Sequence, residues 1–256
     1  MRMVVKVGTS TLAYGTGRMN IKRTRALCET LADLKNAGNE IILVSSGAIG
    51  MGAGKLGLKE KPKDIPTKQA AASVGQCELM YAYDKLFSEY GSAVGQILLT
   101  GSDFAHEDRL NNFTNTIERL LELGVLPIIN ENDTIATDEI KVGDNDRLSA
   151  YVAVNTKADL LVILSDIDGL YTANPRTDKN AKLIPFVDEI TPKLLATAGG
   201  TGSNLGTGGM KTKVQAAELC MEKDCDMVIA SGEDPTILYD VAQGKNVGTK
   251  FSKKGK

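Results

Sequence analysis

Ser203-Asn-Leu-Gly-Thr-Gly-Gly-Met-Lys-Thr-Lys213 is a glycine-dense loop that runs into an expected helix. Glycine lets backbone N–H groups crowd around an anion, and a helix N-terminus adds partial positive charge. Lys211 and Lys213 fall just inside that helix, where their ammonium groups reach whatever the loop holds. A phosphate suits this combination. A plain surface loop is the blander alternative, since Gly, Ser and Asn are ordinary loop residues. A second loop of the same kind, Lys6-Val-Gly-Thr-Ser10, stands near the start of the chain. Neither is the usual nucleoside-triphosphate loop, which needs Gly directly before Lys-[Ser/Thr]; here Met210 precedes Lys211-Thr212. A dinucleotide fold is unsupported too, because no G-x-G-x-x-G opens a helix after the first strand.

Three further constellations carry chemistry. Ser45-Ser-Gly-Ala-Ile-Gly50 ends an apolar strand and starts a helix, which makes either another anion cradle or a plain N-cap. Asn130-Glu-Asn-Asp133 follows Leu126-Pro-Ile-Ile129, and polar side chains at a strand end suit an ammonium group or a hydroxyl. Lys141-Val-Gly-Asp-Asn-Asp146 opens another helix; its aspartates could position lysines, hold Mg²⁺ through water, bind a substrate amine, or simply cap the helix. Lys6 either alternates onto a wet sheet face or sits beside a phosphate next to Gly8.

The only histidine, His106, lies in a polar run and reads as a surface residue, so no Ser-His-Asp triad and no histidine zinc site can be built. Four scattered cysteines read as reduced thiols. Lysines, anion-binding turns and an acidic cluster without a histidine base fit phosphoryl transfer, where catalysis is mainly positioning and charge stabilisation. A carboxylate acceptor is already ionised at neutral pH and needs no general base.

The elements that must position these groups alternate throughout. Apolar runs at 3–7, 41–44, 94–99, 125–129, 160–164 and 227–230 read as strands, and helical periodicity fills 20–38, 67–90, 112–123 and 145–154. That alternation predicts parallel βαβ units in an α/β fold. In such sheets ligands bind beyond the C-terminal strand ends, so Gly8, Ser45–Gly47, Asn130–Asp133 and Ser165–Asp166 are expected to line one crevice. A hairpin is expected over 134–142, and a lobe boundary near residue 165. The 256 residues, 42% hydrophobic and 24% charged with a net charge of −2, suit a soluble globular chain with no pull toward nucleic acid or anionic membrane. No run resembles a signal peptide or a membrane span, so a cytoplasmic protein is expected.

Six motifs carry a family resemblance: Lys6-Val-Gly-Thr-Ser10, Val44-Ser-Ser-Gly-Ala-Ile49, Ile129-Asn-Glu-Asn-Asp133, Lys141-Val-Gly-Asp-Asn-Asp146, Ser165-Asp-Ile-Asp-Gly-Leu-Tyr171 and Gly206-Thr-Gly-Gly-Met-Lys-Thr-Lys213. In this order they resemble the glutamate 5-kinases of the amino acid kinase family, over essentially the whole chain. The resemblance implies ATP-dependent phosphorylation of the side-chain carboxylate of L-glutamate, the first step of proline synthesis. It implies a three-layer αβα sandwich with a mainly parallel central sheet, formed by one domain, 1–256. Residues 1–165 would hold the amino acid and 166–256 the nucleotide. By motif, Lys6 and Lys213 would flank the transferring phosphoryl group and Asp146 would orient them, with Asp144 helping Mg²⁺. Ser46, Gly47, Asn130, Asp133 and Asn145 would hold glutamate. Gly8, Ser165, Asp166 and the run Thr207, Gly208, Gly209, Met210, Lys211, Thr212 and Lys213 would contact ATP, as would Lys6.

Many bacterial members carry a C-terminal RNA-binding-type domain; the sequence stops at Lys256, so none is expected here. Ser165 stands where threonine is commoner in the family, and a hydroxyl is kept. The family also implies a homo-oligomer and functional coupling to a glutamyl phosphate reductase, with any proline inhibition sought at the 134–142 hairpin. The competing readings are a sister kinase for another carboxylate or carbamate, and a sensor that binds without turnover.

Overall fold

A computed structural model describes residues 1–60, 62–136, 145–197 and 209–253. Strand β1 (Arg2–Val7) leads through the single turn α1 (Thr9–Leu12) to helix α2 (Ile21–Asn36) and strand β2 (Glu40–Ser45). The short helix α3 (Ala48–Lys55) and the long α4 (Ile65–Ser88) precede β3 (Val94–Leu99). Helix α5 (Glu107–Glu122), β4 (Leu126–Glu131), α6 (Asn145–Asn155) and β5 (Leu160–Ser165) follow. The last part holds β6 (Phe186–Val187), α7 (Pro192–Thr197), α8 (Met210–Glu222), β7 (Asp226–Ser231), α9 (Ile237–Ala242) and β8 (Thr249–Phe251).

These strands form one eight-stranded sheet in the order β3-β4-β2-β1-β5-β7-β8-β6. Every pairing from β3 across to β7 is parallel, and β8 runs antiparallel to β7 at the far side. Strands covered on both faces must be apolar along their length. β5 obeys this with all six residues buried. On one face Val4, Ile42, Ile129 and Ile163 pack against Phe113 and Ile117 of α5, Val152 of α6 and Val214 of α8. On the other, Met3, Val5, Leu43, Ile128 and Val162 meet Leu27 and Leu31 of α2, Leu79 and Phe87 of α4 and Leu238 of α9. Helices on both faces of a mainly parallel sheet are the three-layer αβα sandwich that the sequence implied.

Several boundaries move. The Asn20 side chain accepts from the Arg23 N–H at 3.1 Å and caps α2, as its sequence suggested. Helix α5 starts at Glu107 rather than near residue 112, because Glu107 and Asp108 in its first turn favour the positive helix end. Strand β4 runs on through Asn130 and Glu131, which pair with Leu98 and Leu99 of β3, so these two polar residues belong to the sheet and not to a loop after it. The segment after β7 forms the short helix α9, which buries Leu238 and Val241. Most of the expected 134–142 hairpin, from residue 137 onward, lies outside the described residues.

Candidate active site

Lys6 sits near the end of β1 with its side chain on the face covered by α6 and α8, and it is only 7% exposed. Of the two options left by its sequence, the wet sheet face is therefore ruled out. An ammonium group is buried at this cost only with a partner. The partner is Asp146, 0% exposed, in the first turn of α6: Lys6 Nζ donates to Asp146 Oδ1 at 2.6 Å. Lys213, in the first turn of α8 and equally buried, donates to Asp146 Oδ2 at 3.0 Å. Thr212 Oγ1 is the third partner of the carboxylate, 3.0 Å from Oδ2, and shares its one proton between Oδ2 and the Gly209 carbonyl. One carboxylate thus bridges two ammonium groups from opposite ends of the chain.

Burial alone would push the Asp146 carboxyl up; the charges of Lys6 and Lys213 outweigh it and hold the group well below the usual carboxylate range. The carboxylate stays ionised at any working pH, which keeps both lysines in one place. Lys211 is exposed and turns away from this bridge. Of the two lysines at the start of α8, Lys213 alone joins the cluster, because a helix sends neighbouring side chains in different directions.

Asn145, the first residue of α6, continues the site across the strand ends. Its two Nδ2 protons are shared among Ser46 Oγ at 2.9 Å, the Ser45 carbonyl at 3.2 Å and Asn130 Oδ1 at 2.8 Å. Asn130 Nδ2 donates in turn to Gln76 Oε1 of α4 at 2.9 Å. Ser45, Ser46, Asn130, Asn145 and Gln76 are therefore one hydrogen-bonded group beside the lysine bridge. Gly47 caps α3 with φ of 112°, a left-handed conformation that favours glycine at the turn after β2. Asp133 follows two residues after β4, partly buried, and burial pushes its carboxyl up to about 6.

The residues expected to contact nucleotide are placed more loosely. Gly8 follows β1, and a Cβ built there would meet Lys6 Nζ at 3.7 Å, so the backbone passes close to the ammonium group. Ser165 ends β5 and donates to Asp166 Oδ1 at 3.3 Å, while Asp166 Oδ2 pairs with Arg176 at 2.9 Å. Gly209 precedes α8, and its carbonyl accepts from Thr212 Oγ1 at 2.7 Å. Met210 opens α8. Thr207, Gly208, Lys141 and Asp144 lie outside the described residues.

Sequence reasoning passed over Gln76. A signal was there: it falls four residues after Ala72 and three before Leu79, on the buried stripe of α4, where an amide needs a partner. Arg176, in the loop after β5, was passed over as well.

Strand ends of a parallel sheet that gather a lysine–aspartate–lysine bridge define a phosphoryl- or carboxyl-handling α/β protein. The chain belongs to the amino acid kinase family, whose pattern matches residues 1–231. A glutamate 5-kinase from Clostridium tetani is 54% identical over 250 residues, covering 98% of this chain and 94% of that protein. One from Listeria innocua is 52% identical over 257 residues, covering 99% and 93%. Among solved structures, the carbamate kinase from Giardia lamblia bound to AMP-PNP superposes with a TM-score of 0.69 at 17% identity, over 99% of this chain and 98% of that one. The UMP kinase from Bacillus anthracis does so with 0.65 at 14%, over 99% and 96%. At these identities the structural likeness concerns the fold.

Proposed function

We propose that the chain transfers the γ-phosphoryl group of ATP to the side-chain carboxylate of L-glutamate, giving L-glutamyl 5-phosphate and ADP. The buried Lys6–Asp146–Lys213 bridge carries the reaction class. Full-length identity above one half to glutamate 5-kinases supports the substrate. The product is the activated acid that opens proline biosynthesis.

The acceptor oxygen is ionised at neutral pH, so no proton has to be removed before it attacks. What opposes reaction is the approach of two anions. Lys6 and Lys213, held on either side of Asp146, lower that repulsion and stabilise charge on the transferring group. An ammonium group has three donors, so a carboxylate contact does not exhaust it. Ser46, Gly47, Asn130 and Asn145 hold the amino acid, and the Asp133 carboxylate takes its ammonium group. Gly8, Ser165, Asp166 and the run from Thr207 to Lys213 hold ATP. Residues 1–165 then form the amino acid lobe and 166–256 the nucleotide lobe of one domain.

Among the described residues no cluster of acidic, histidine or cysteine side chains would hold a metal by itself. The Asp146 oxygens are occupied by Lys6, Lys213 and Thr212. This fits Mg²⁺ arriving as Mg·ATP, carried chiefly by phosphate oxygens and water, with Asp144 within the same helix-opening motif to assist. When bound, the ion offsets phosphate charge. Among the described residues no helix is long and apolar enough to cross a membrane; a cytoplasmic location is kept as part of the proposal. We also propose a homo-oligomer, with the labile acyl phosphate passed to a reductase.

The test is protein with Mg·ATP, hydroxylamine and a panel of acceptors, reading hydroxamate and ADP together. Hydroxamate with L-glutamate is expected. Product only with aspartate, acetylglutamate or carbamate would replace the substrate. ATP binding without any product would replace enzyme by sensor.

A further inference from the structure

The amides beside the lysine bridge form a chain whose orientation is fixed by one backbone group. The Glu131 N–H donates to the Asn130 side chain at 2.8 Å. An N–H can only donate, so the Asn130 atom it meets is Oδ1 and the other terminal atom is its NH2 group. That group donates to Gln76 at 2.9 Å, so the Gln76 atom it meets is Oε1. The Gln76 amide is thereby oriented as well: its oxygen is engaged and Nε2 is a donor directed elsewhere. Nε2 is buried and has no acceptor among the described residues. A buried donor left unpaired in a native fold calls for a ligand or a water.

We propose that Gln76 Nε2 donates to the α-carboxylate of the amino acid substrate, and so sets specificity for an α-amino acid. This rests on the glutamate reading given above. The contacts run in order from Asp146 to its neighbour Asn145, then Asn130, then Gln76. The carboxylate that receives phosphate must lie at the lysine end of this series. Gln76 stands at the opposite end and meets the part of the substrate that does not react. An ionised carboxylate is the strongest acceptor available for an amide N–H.

The fold holds Gln76 at that place. A Cβ on its neighbour Gly75 would collide with the Ala48 carbonyl, so α4 lies directly against α3. Two turns further along α4, the buried Tyr83 hydroxyl hydrogen-bonds Ser45 Oγ at 2.8 Å, tying the same helix to the end of β2. Gln76 is a positioning and specificity residue; it touches no reacting atom.

The test compares L-glutamate with γ-aminobutyrate, which keeps the amine and the reacting carboxylate but lacks the α-carboxylate, and with isoglutamine, where that group is a neutral amide. Gln76→Met is expected to lower kcat/KM for glutamate about 10- to 100-fold, chiefly through KM, as for loss of a hydrogen bond to a charged group. It should leave the weak turnover or inhibition by γ-aminobutyrate within a few-fold of wild type, so the preference for glutamate shrinks. Gln76→Glu places a like charge against the α-carboxylate and should favour isoglutamine over glutamate relative to wild type. A merely structural role lowers all three ligands together in both variants, and that result overturns the assignment. Should Gln76→Glu fail to fold, Gln76→Met alone decides it. If wild-type protein makes no hydroxamate from glutamate, the substrate reading has failed instead; wild-type activity with an unchanged preference in the variants defeats only the role of Gln76.

Discussion

Asp146 has to remain an anion while two cations lean on it, and the consequences of losing each partner differ. Lys6→Ala or Lys213→Ala removes one ammonium from the phosphoryl path, and turnover should fall about 100-fold or more in a protein that still folds, as when a charge-stabilising donor is lost. Near-normal kcat in either variant contradicts the assigned role. Asp146→Ala strands two buried ammonium groups, so it should also destabilise the fold by about 3–5 kcal/mol, measured by urea unfolding. Asp133 behaves in the opposite sense. Burial raises its carboxyl from 3.8 to about 6, so the folded protein holds this proton more tightly than the unfolded chain. The cost to stability is absent below the unfolded value and complete above about pH 6. Asp133→Asn should therefore stabilise the protein near pH 8, by on the order of 1–2 kcal/mol, and hardly near pH 4. On the proposal that the ionised form binds the substrate ammonium, KM for glutamate in wild type should climb about tenfold per pH unit below about 6. A flat KM between pH 5 and pH 7 would remove Asp133 from the ammonium site.

Elements differed in how openly the sequence announced them. β1, β2, β5 and β7 were legible because strands buried on both faces read as largely apolar runs. β6 and β8, two and three residues long, carry too little periodicity to be seen. Asn130 and Glu131 hid the end of β4 because polar side chains were taken to mark a loop, although the ladder to β3 continues beneath them. The turn after β2 was read as a helix start, but its tight seat on α4 rests on Gly52 and Gly75, where a Cβ on either would collide with a carbonyl of the other helix. Gly75→Ala should therefore cost about 1–3 kcal/mol or more by overpacking, seen as a lower urea midpoint with an unchanged slope. A neutral result would mean that α3 and α4 separate easily and do not fix Gln76.

At the scale of the whole molecule, the site is assembled from distant chain segments: Lys6 and Asp146 are 140 positions apart in the chain, and Asp146 and Lys213 a further 67. Spacing along the chain could not reveal that bridge, and residue chemistry alone left Asp146 with four possible tasks. The ordered motifs supplied the assignment, and the parallel sheet supplies the reason, by bringing β1, β2, β4 and β5 to one set of C-terminal ends. The two binding regions proposed on this sheet should respond independently to ligand. At a hundredfold excess over Kd each ligand stabilises by about 2.7 kcal/mol. Asp133→Ala should abolish the rise in Tm with glutamate and keep the rise with Mg·ATP. Loss of both would mean that the two sites are not divided as described.

The central claim is that a glutamate side-chain oxygen attacks the γ-phosphorus. Glutamate labelled with heavy oxygen in that carboxylate, incubated with Mg·ATP and hydroxylamine, tests it directly by phosphorus NMR of the released phosphate. Attack by the carboxylate leaves the labelled oxygen bridging carbon and phosphorus, and hydroxylamine then expels it with the phosphate. One heavy oxygen in each released phosphate is expected. Phosphate formed without the label would contradict phosphoryl transfer to the glutamate carboxylate.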